Sequence, residues 1–171
     1  SWRGRLIGAG GSPASGALRS AWTVEWKGDE CAIELLPALP RALDMAAGTI
    51  MGDVLYVLGG GDDGEPSRAT RSMFALDLAM APEQRGWREA PWPQGAPARR
   101  LAVAGSMDGR LYLFGGLADA EPGVVAGDAT HLRDAYVYRP AVGWRKLADL
   151  PRGSAGAATP ALVLPSGALA L

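Results

Sequence analysis

The sequence predicts an all-β protein, a partial β-propeller of four-stranded antiparallel blades, and three observations predict it. Residues 53–60 (DVLYVLGG) recur as 109–116 (GRLYLFGG), each an alternating apolar run closed by a Gly pair. Each copy is followed by a variable loop, a second apolar run (72–78, SMFALDL; 134–138, DAYVY), a Gly-Trp and a Pro-rich exit. The spacing is regular: 56 residues from Gly59 to Gly115 and 57 from Trp87 to Trp144. A fainter copy, 5–11 (RLIGAGG), precedes them. A repeat near 50 residues made of short strands is the sequence mark of propeller blades, because each blade buries its faces only by stacking on neighbours.

In each blade the second strand ends in Gly-Gly, the third carries an aromatic residue and the fourth a Trp. Residues 6–7 open a second strand, 21–26 form a third and 31–36 a fourth, with Lys27, Gly28 and Asp29 turning between them. Alternation of apolar and polar residues along 23–26 and 32–35 marks half-buried strands. The next blade is complete: 46–51 as inner strand, small and apolar as the crowded centre requires, then 54–58, 73–78 and 87–90. The third repeats it with 101–107, 111–114, 135–138 and 144–147. Residues 156–164 read as a fourth inner strand and 168–171 as the start of its partner. The units are thus a blade remnant at 1–40, blades at 41–96 and 97–151, and the start of another at 152–171. Closed propellers typically have about four to eight blades, so the expectation is a piece of a longer protein whose partners include the remaining blades.

Composition narrows the function classes. The chain has 171 residues, 48% hydrophobic and 20% charged, which is globular. A net charge of −1 offers no footprint for nucleic acid or an acidic membrane. One cysteine, Cys31, excludes an internal disulfide, and one Cys with one His is too few soft ligands for a zinc site, so no metal is expected. The uncharged run 154–171 contains Pro160, Pro165 and Ser166-Gly167, which suit two strands and a turn rather than a membrane helix. Residues 59–64 (GGGDDG) match a dinucleotide fingerprint literally, but acidic residues, Pro66 and another strand follow instead of a helix, which rejects that site. No cofactor is expected.

Together, the runs 72–78, 86–93 (GWREAPWP), 97–103 (PARRLAV), 111–116, 132–140 (LRDAYVYRP) and 143–152 (GWRKLADLPR) resemble kelch repeats. They are similar in particular to bacterial N-acetylneuraminate epimerases, or sialate mutarotases, of the cyclically permuted branch. The resemblance implies a six-bladed kelch propeller with its site at the channel mouth, interconversion of the α and β anomers of a sialic acid, and a periplasmic or secreted location. It further implies a catalytic Glu directly after a second-strand Gly, with an Arg six residues on. Ser12, Gly61 and Leu117 hold the positions after the three Gly pairs, so the implied Glu maps onto no residue here. Arg19, Arg71 and Arg133 stand before their third strands, near the implied Arg, and are the candidate catalytic positions together with His131, the only histidine.

Anomer exchange needs a base for the anomeric hydroxyl and an acid for the ring oxygen, roles open to tuned carboxylates. A sugar carboxylate calls for an Arg fork. Arg41, Arg99, Arg100 and Arg152 each follow a Pro and precede an inner strand, so an arc of Arg around the channel is expected to bind substrate, with Asp44 beside it. The bland alternative is that these arginines bond backbone carbonyls at blade junctions. Loop carboxylates (Asp62, Asp63, Glu65, Asp119, Glu121) are further base candidates, weighed against solvated loops. Trp87, Trp144, Asp77 and Arg139 read as inter-blade packing, and Trp92 is left between packing and sugar stacking. Two functions stay open: a carbohydrate mutarotase, or a kelch binding module for protein or glycan without chemistry. A copper oxidase would need several His and Tyr ligands and is disfavoured by one His.

Overall fold

A computed structural model describes residues 1–13, 16–64, 67–119, 130–156 and 159–170. The first blade contains β1 (Leu6–Ala9), β2 (Ala21–Lys27) and β3 (Glu30–Leu36), hydrogen-bonded in that order. The second has β4 (Ala47–Met51), β5 (Val54–Leu58), β6 (Met73–Asp77) and β7 (Trp87–Glu89), with each strand beside the next. The third has β8 (Val103–Met107) and β9 (Arg110–Phe114), a short pair β10 (Leu117–Ala118) and β11 (Thr130–His131), then β12 (Ala135–Arg139) and β13 (Gly143–Lys146). Its sheet runs β13-β12-β9-β8, while β10 and β11 form a separate two-stranded pair. β14 (Leu162–Val163) pairs with β15 (Leu169–Ala170), so the expected inner strand over 156–164 is cut to two residues. All pairings are antiparallel, and the arrangement is that of consecutive propeller blades. Among the described residues no helix is long and apolar enough to cross a membrane.

Period-two alternation decides the packing. On β5, Leu55 and Val57 turn toward the first blade and pack with Leu36, Leu39, Leu43, Phe74 and Leu76. Tyr56 and Leu58 turn the other way and pack with Met73, Ala104, Leu111, Leu113 and Tyr138. The central blade is therefore apolar on both faces, unlike a sheet with one wet side. The repeated Trp locks each junction: Trp87 donates its indole N–H to the Pro37 carbonyl at 2.7 Å, and Trp144 donates to Pro91 at 2.5 Å. Trp87 and Trp144 thus pin the preceding linker. Asp77 accepts from the Ala79 N–H in the turn after β6, and Arg139 is exposed, so neither packs between blades.

The Gly pairs bring two loop sets together. Gly59 and Gly60 have φ of 63° and 94°, as left-handed turns demand. Gly59 N–H donates to Ser72 and Gly60 N–H to Arg99 (2.8 and 2.9 Å), so one turn binds its own blade's third strand and the linker to the next blade. A Cβ at Gly59 would collide with the Arg99 carbonyl, and one at Gly60 would stand 2.6 Å from that of Asp44. Gly115 and Gly116 repeat the scheme with Asp134 and Ser154. Strands β1 and β4 flank a cavity of about 520 Å³ whose walls also include Ala46, Ser106 of β8 and Thr159. Thr159 crosses it to Gly48, donating its hydroxyl to the carbonyl at 3.0 Å and accepting from the N–H at 3.2 Å.

Candidate functional site

The linkers before each inner strand and the loops after each Gly pair meet at one end of the blades. Backbone bridges join them: Leu18 with Leu43, Asp44 with Gly61, Gly61 with Ala69, Thr70 with Arg99, and Arg100 with Leu117. This band aligns the repeats residue by residue. Leu43, Arg99 and Ser154 occupy one place, as their N–H groups donate to Leu18, Thr70 and Leu132, so Asp44 and Arg100 share the next. Counting two residues back, Arg41 and Arg152 share a register position that Pro97 holds in the middle blade. The four linker arginines are therefore not one repeated arc. They occupy three different registers.

Their environments differ accordingly. Arg99 is fully buried, and both its Nη atoms reach Asp134 at 2.7 Å, while Nη1 also donates to the Gly115 carbonyl at 2.8 Å. Its guanidinium lies 5.5 Å from the Tyr136 ring centre and 5.8 Å from that of Trp92. With no exposed surface, it presents no fork to a substrate in this structure. Trp92 itself donates to Ala96 at 3.3 Å, which makes it part of this packing. Burial pushes the Asp134 carboxyl up, but the hydrogen bonds and charge of Arg99, with the Tyr136 hydroxyl, outweigh it and hold the pKa below the ordinary carboxylate value. Burial, with the hydrogen bond to Asp134, pushes the Tyr136 phenol up to about 12.

Arg19, Arg71 and Arg133 make one repeated contact. Each donates Nε to a carbonyl of the linker into the next blade: Leu39 at 2.6 Å, Ala96 at 3.1 Å and Leu150 at 2.9 Å. This set shares the backbone-bonding role considered for the linker arginines with Arg99 and Arg100, which donate to the Gly115 and Ser67 carbonyls. His131 is exposed on β11, with its backbone paired to Leu117. Arg152 is exposed, as is Arg41, which reaches the Ser72 hydroxyl at 3.4 Å. Asp62 accepts from Arg68 N–H at 2.8 Å and Gly64 N–H at 3.1 Å. The Arg68 N–H bond, aided by the Gly64 N–H and the charges of Arg41 and Arg68, outweighs burial and lowers its pKa. Asp63 is exposed, and Glu65 and Glu121 lie outside the described residues.

Asp44 and Arg100 converge. Asp44 is 7% exposed, and its Oδ1 has no hydrogen-bond partner among the described residues; the same is true of the Ser67 hydroxyl. Both atoms lie over Gly61, where a Cβ would overlap them. On the other side of Ser67, Arg100 donates Nη1 to its carbonyl at 3.0 Å and pairs through Nη2 with Asp119 at 3.2 Å. Asp119 also accepts the Ala69 N–H at 2.8 Å, tying adjacent blades. A carboxylate and a guanidinium thus flank one serine at the rim, with bonding capacity unspent on the carboxylate and an exchangeable, partly exposed partner on the guanidinium. Sequence reading missed Ser67, Asp134 and Tyr136. Aligning the repeats on the Arg before each third strand (Arg19, Arg71, Arg133) would have shown Asp134 where Ser20 and Ser72 stand.

Comparison with known proteins agrees with this architecture. No family model matches the chain. It is 37% identical over 124 residues to the N-acetylneuraminate epimerases of Haemophilus influenzae strains PittEE and 86-028NP, covering 70% of this chain and 29% of theirs. It is 35% identical over 113 residues to that of Pasteurella multocida strain Pm70, covering 65% of this chain and 26% of the relative. The chain therefore spans less than a third of these relatives, and within that span it is their homologue. The solved structure of YjhT superposes with a TM-score of 0.63 at 15% identity, over 87% of this chain and 53% of that one, which shows the shared fold.

Proposed function

We propose that the protein carrying this chain is a carbohydrate mutarotase, acting on N-acetylneuraminate or a close relative, and that these blades supply part of the sugar-binding rim. The observation that carries this is the 37% identity, over 124 residues, to proteins named N-acetylneuraminate epimerase. In the proposed reaction a base takes the proton of the anomeric hydroxyl while an acid protonates the ring oxygen. The ring C–O bond breaks to give the open ketone, rotation turns its other face, and reclosure returns both protons. Arg100 would receive the sugar carboxylate in place of Asp119, since a guanidinium fork matches a carboxylate in two bonds. Asp44 would accept a sugar hydroxyl, with Arg41 and Arg152 adding positive potential at the rim. The acid–base carboxylate would come from another blade, because Ser12, Gly61 and Leu117 fill the three positions after the Gly pairs.

That same fact favours a second reading, a propeller that binds the sugar without chemistry. Proton NMR of freshly released α-N-acetylneuraminate with the full-length protein separates the two. Faster approach to the anomeric equilibrium than in buffer supports the mutarotase. Saturable sugar binding with no acceleration refutes it and leaves the binding module.

A further inference from the structure

The repeats are interrupted at one junction. In the first linker the carbonyl bound by a Trp (Pro37) and the carbonyl bound by an Arg (Leu39) are two residues apart. In the second linker the corresponding carbonyls, Pro91 and Ala96, are five apart, an insertion of three residues. The extra length folds into a turn closed by Ala96 N–H to the Pro93 carbonyl at 3.1 Å. The turn stands off the sheet and leaves a cleft of about 230 Å³ lined by Pro93, Gln94, Gly95, Tyr136, Trp144 and Lys146.

We propose that this cleft is an accessory binding site for an acidic monosaccharide. The Tyr136 and Trp144 rings stand 6.4 Å apart at 89° and form two walls of a corner. Both are held before any ligand arrives: the indole N–H is bonded to Pro91 and the phenol to Asp134, at 2.9 Å. Fixed aromatic walls cost little ordering on binding, and Tyr and Trp suit a ligand with one apolar face and polar edges. The volume is below the roughly 300–1,000 Å³ of drug-sized sites, which selects a single ring. Lys146, the cross-strand neighbour of Tyr136, supplies a cation at the mouth. Its pairing with Asp149 is exposed and 3.4 Å long, so a ligand carboxylate can replace it at little cost. Gln94 adds an amide that both donates and accepts to hydroxyls. The site shares no residue with the rim formed by Asp44 and Arg100.

The test uses full-length protein with 15N-labelled Trp indoles and two anomer-locked probes, the methyl α-glycoside of N-acetylneuraminate and methyl β-galactoside. The acidic probe is expected to shift the Trp144 indole signal saturably, in roughly the millimolar range, and to leave the equivalent Trp87 unmoved. Lys146→Ala and Gln94→Ala, both surface changes, are expected to weaken that binding by about tenfold in combination, equivalent to ~1.4 kcal/mol, without changing the thermal midpoint. A Trp144 signal that stays still, that moves equally with the neutral probe, or that is indifferent to the double variant overturns the proposal.

Discussion

Arg99→Ala removes the centre of a polar cluster built on a fully buried guanidinium. The wild-type guanidinium makes two bonds of 2.7 Å to Asp134 and one of 2.8 Å to Gly115, with no exposed surface. The alanine leaves the Asp134 carboxylate and the Gly115 carbonyl facing a cavity between the second and third blades. Breaking a buried pair from one side costs about 3–5 kcal/mol, because the survivor keeps its charge and loses its partner. Asp134 retains the Tyr136 hydroxyl at 2.9 Å, which places the expected loss near the lower end, about 3 kcal/mol. Urea unfolding of full-length protein, followed by Trp fluorescence, reads this directly. The Arg99→Met, Asp134→Leu double variant is expected to recover part of the loss, since no unpaired charge remains. A loss below about 1 kcal/mol for Arg99→Ala, a value typical of an exposed pair, would refute the buried-pair reasoning.

Acidification should act through the same cluster. The Asp134 pKa is lowered by folding, so its stabilisation is complete above the ordinary carboxylate range and is lost as pH falls through the lowered folded value; Asp134→Asn should flatten the acid limb of a stability–pH curve. Tyr136 has the opposite sign: its folded pKa of about 12 against the ordinary phenol value of 10.0 predicts stability lost as pH rises across that interval, and Tyr136→Phe should remove this alkaline loss. Gly61→Ala should destabilise by about 1–3 kcal/mol, as the new methyl displaces Asp44 and Ser67, whereas Gly86→Ala, with open space around it, should cost far less in the same thermal melts. Trp87→Phe keeps the ring packing but leaves the Pro37 carbonyl unpaired, for a loss of about 1–2 kcal/mol by chemical denaturation.

The blades were legible because they repeat. The alternation in 53–60 and 109–116 sets which side chains of β5 and β9 face which neighbour, and the Gly pairs mark where each second strand must turn. The short pair β10 and β11 gave no signal, since a two-residue strand carries no period. The site was read less well, for a physical reason. Arginine serves equally as a ligand fork and as a backbone clamp, and linear proximity to a Pro does not separate the two. Arg99 and Arg100 are adjacent in sequence, yet their side chains diverge on the strand-like bridge, one into the inter-blade core and the other to the rim. The decisive information was the partner: Asp134 for Arg99, lying 35 residues on, and Ser67 with Asp119 for Arg100.

If sugar is held where Asp44 and Arg100 flank Ser67, Arg100 governs its binding. Saturation kinetics of α-to-β exchange of N-acetylneuraminate by the full-length protein, compared with its Arg100→Ala and Arg100→Lys variants, tests it most directly. Arg100→Ala is expected to raise KM by about tenfold or more, the worth of a charge-assisted pair, and Lys to restore part of the binding without the two-point fork. Wild-type exchange with an unchanged KM in Arg100→Ala would contradict it and move the sugar site away from this rim.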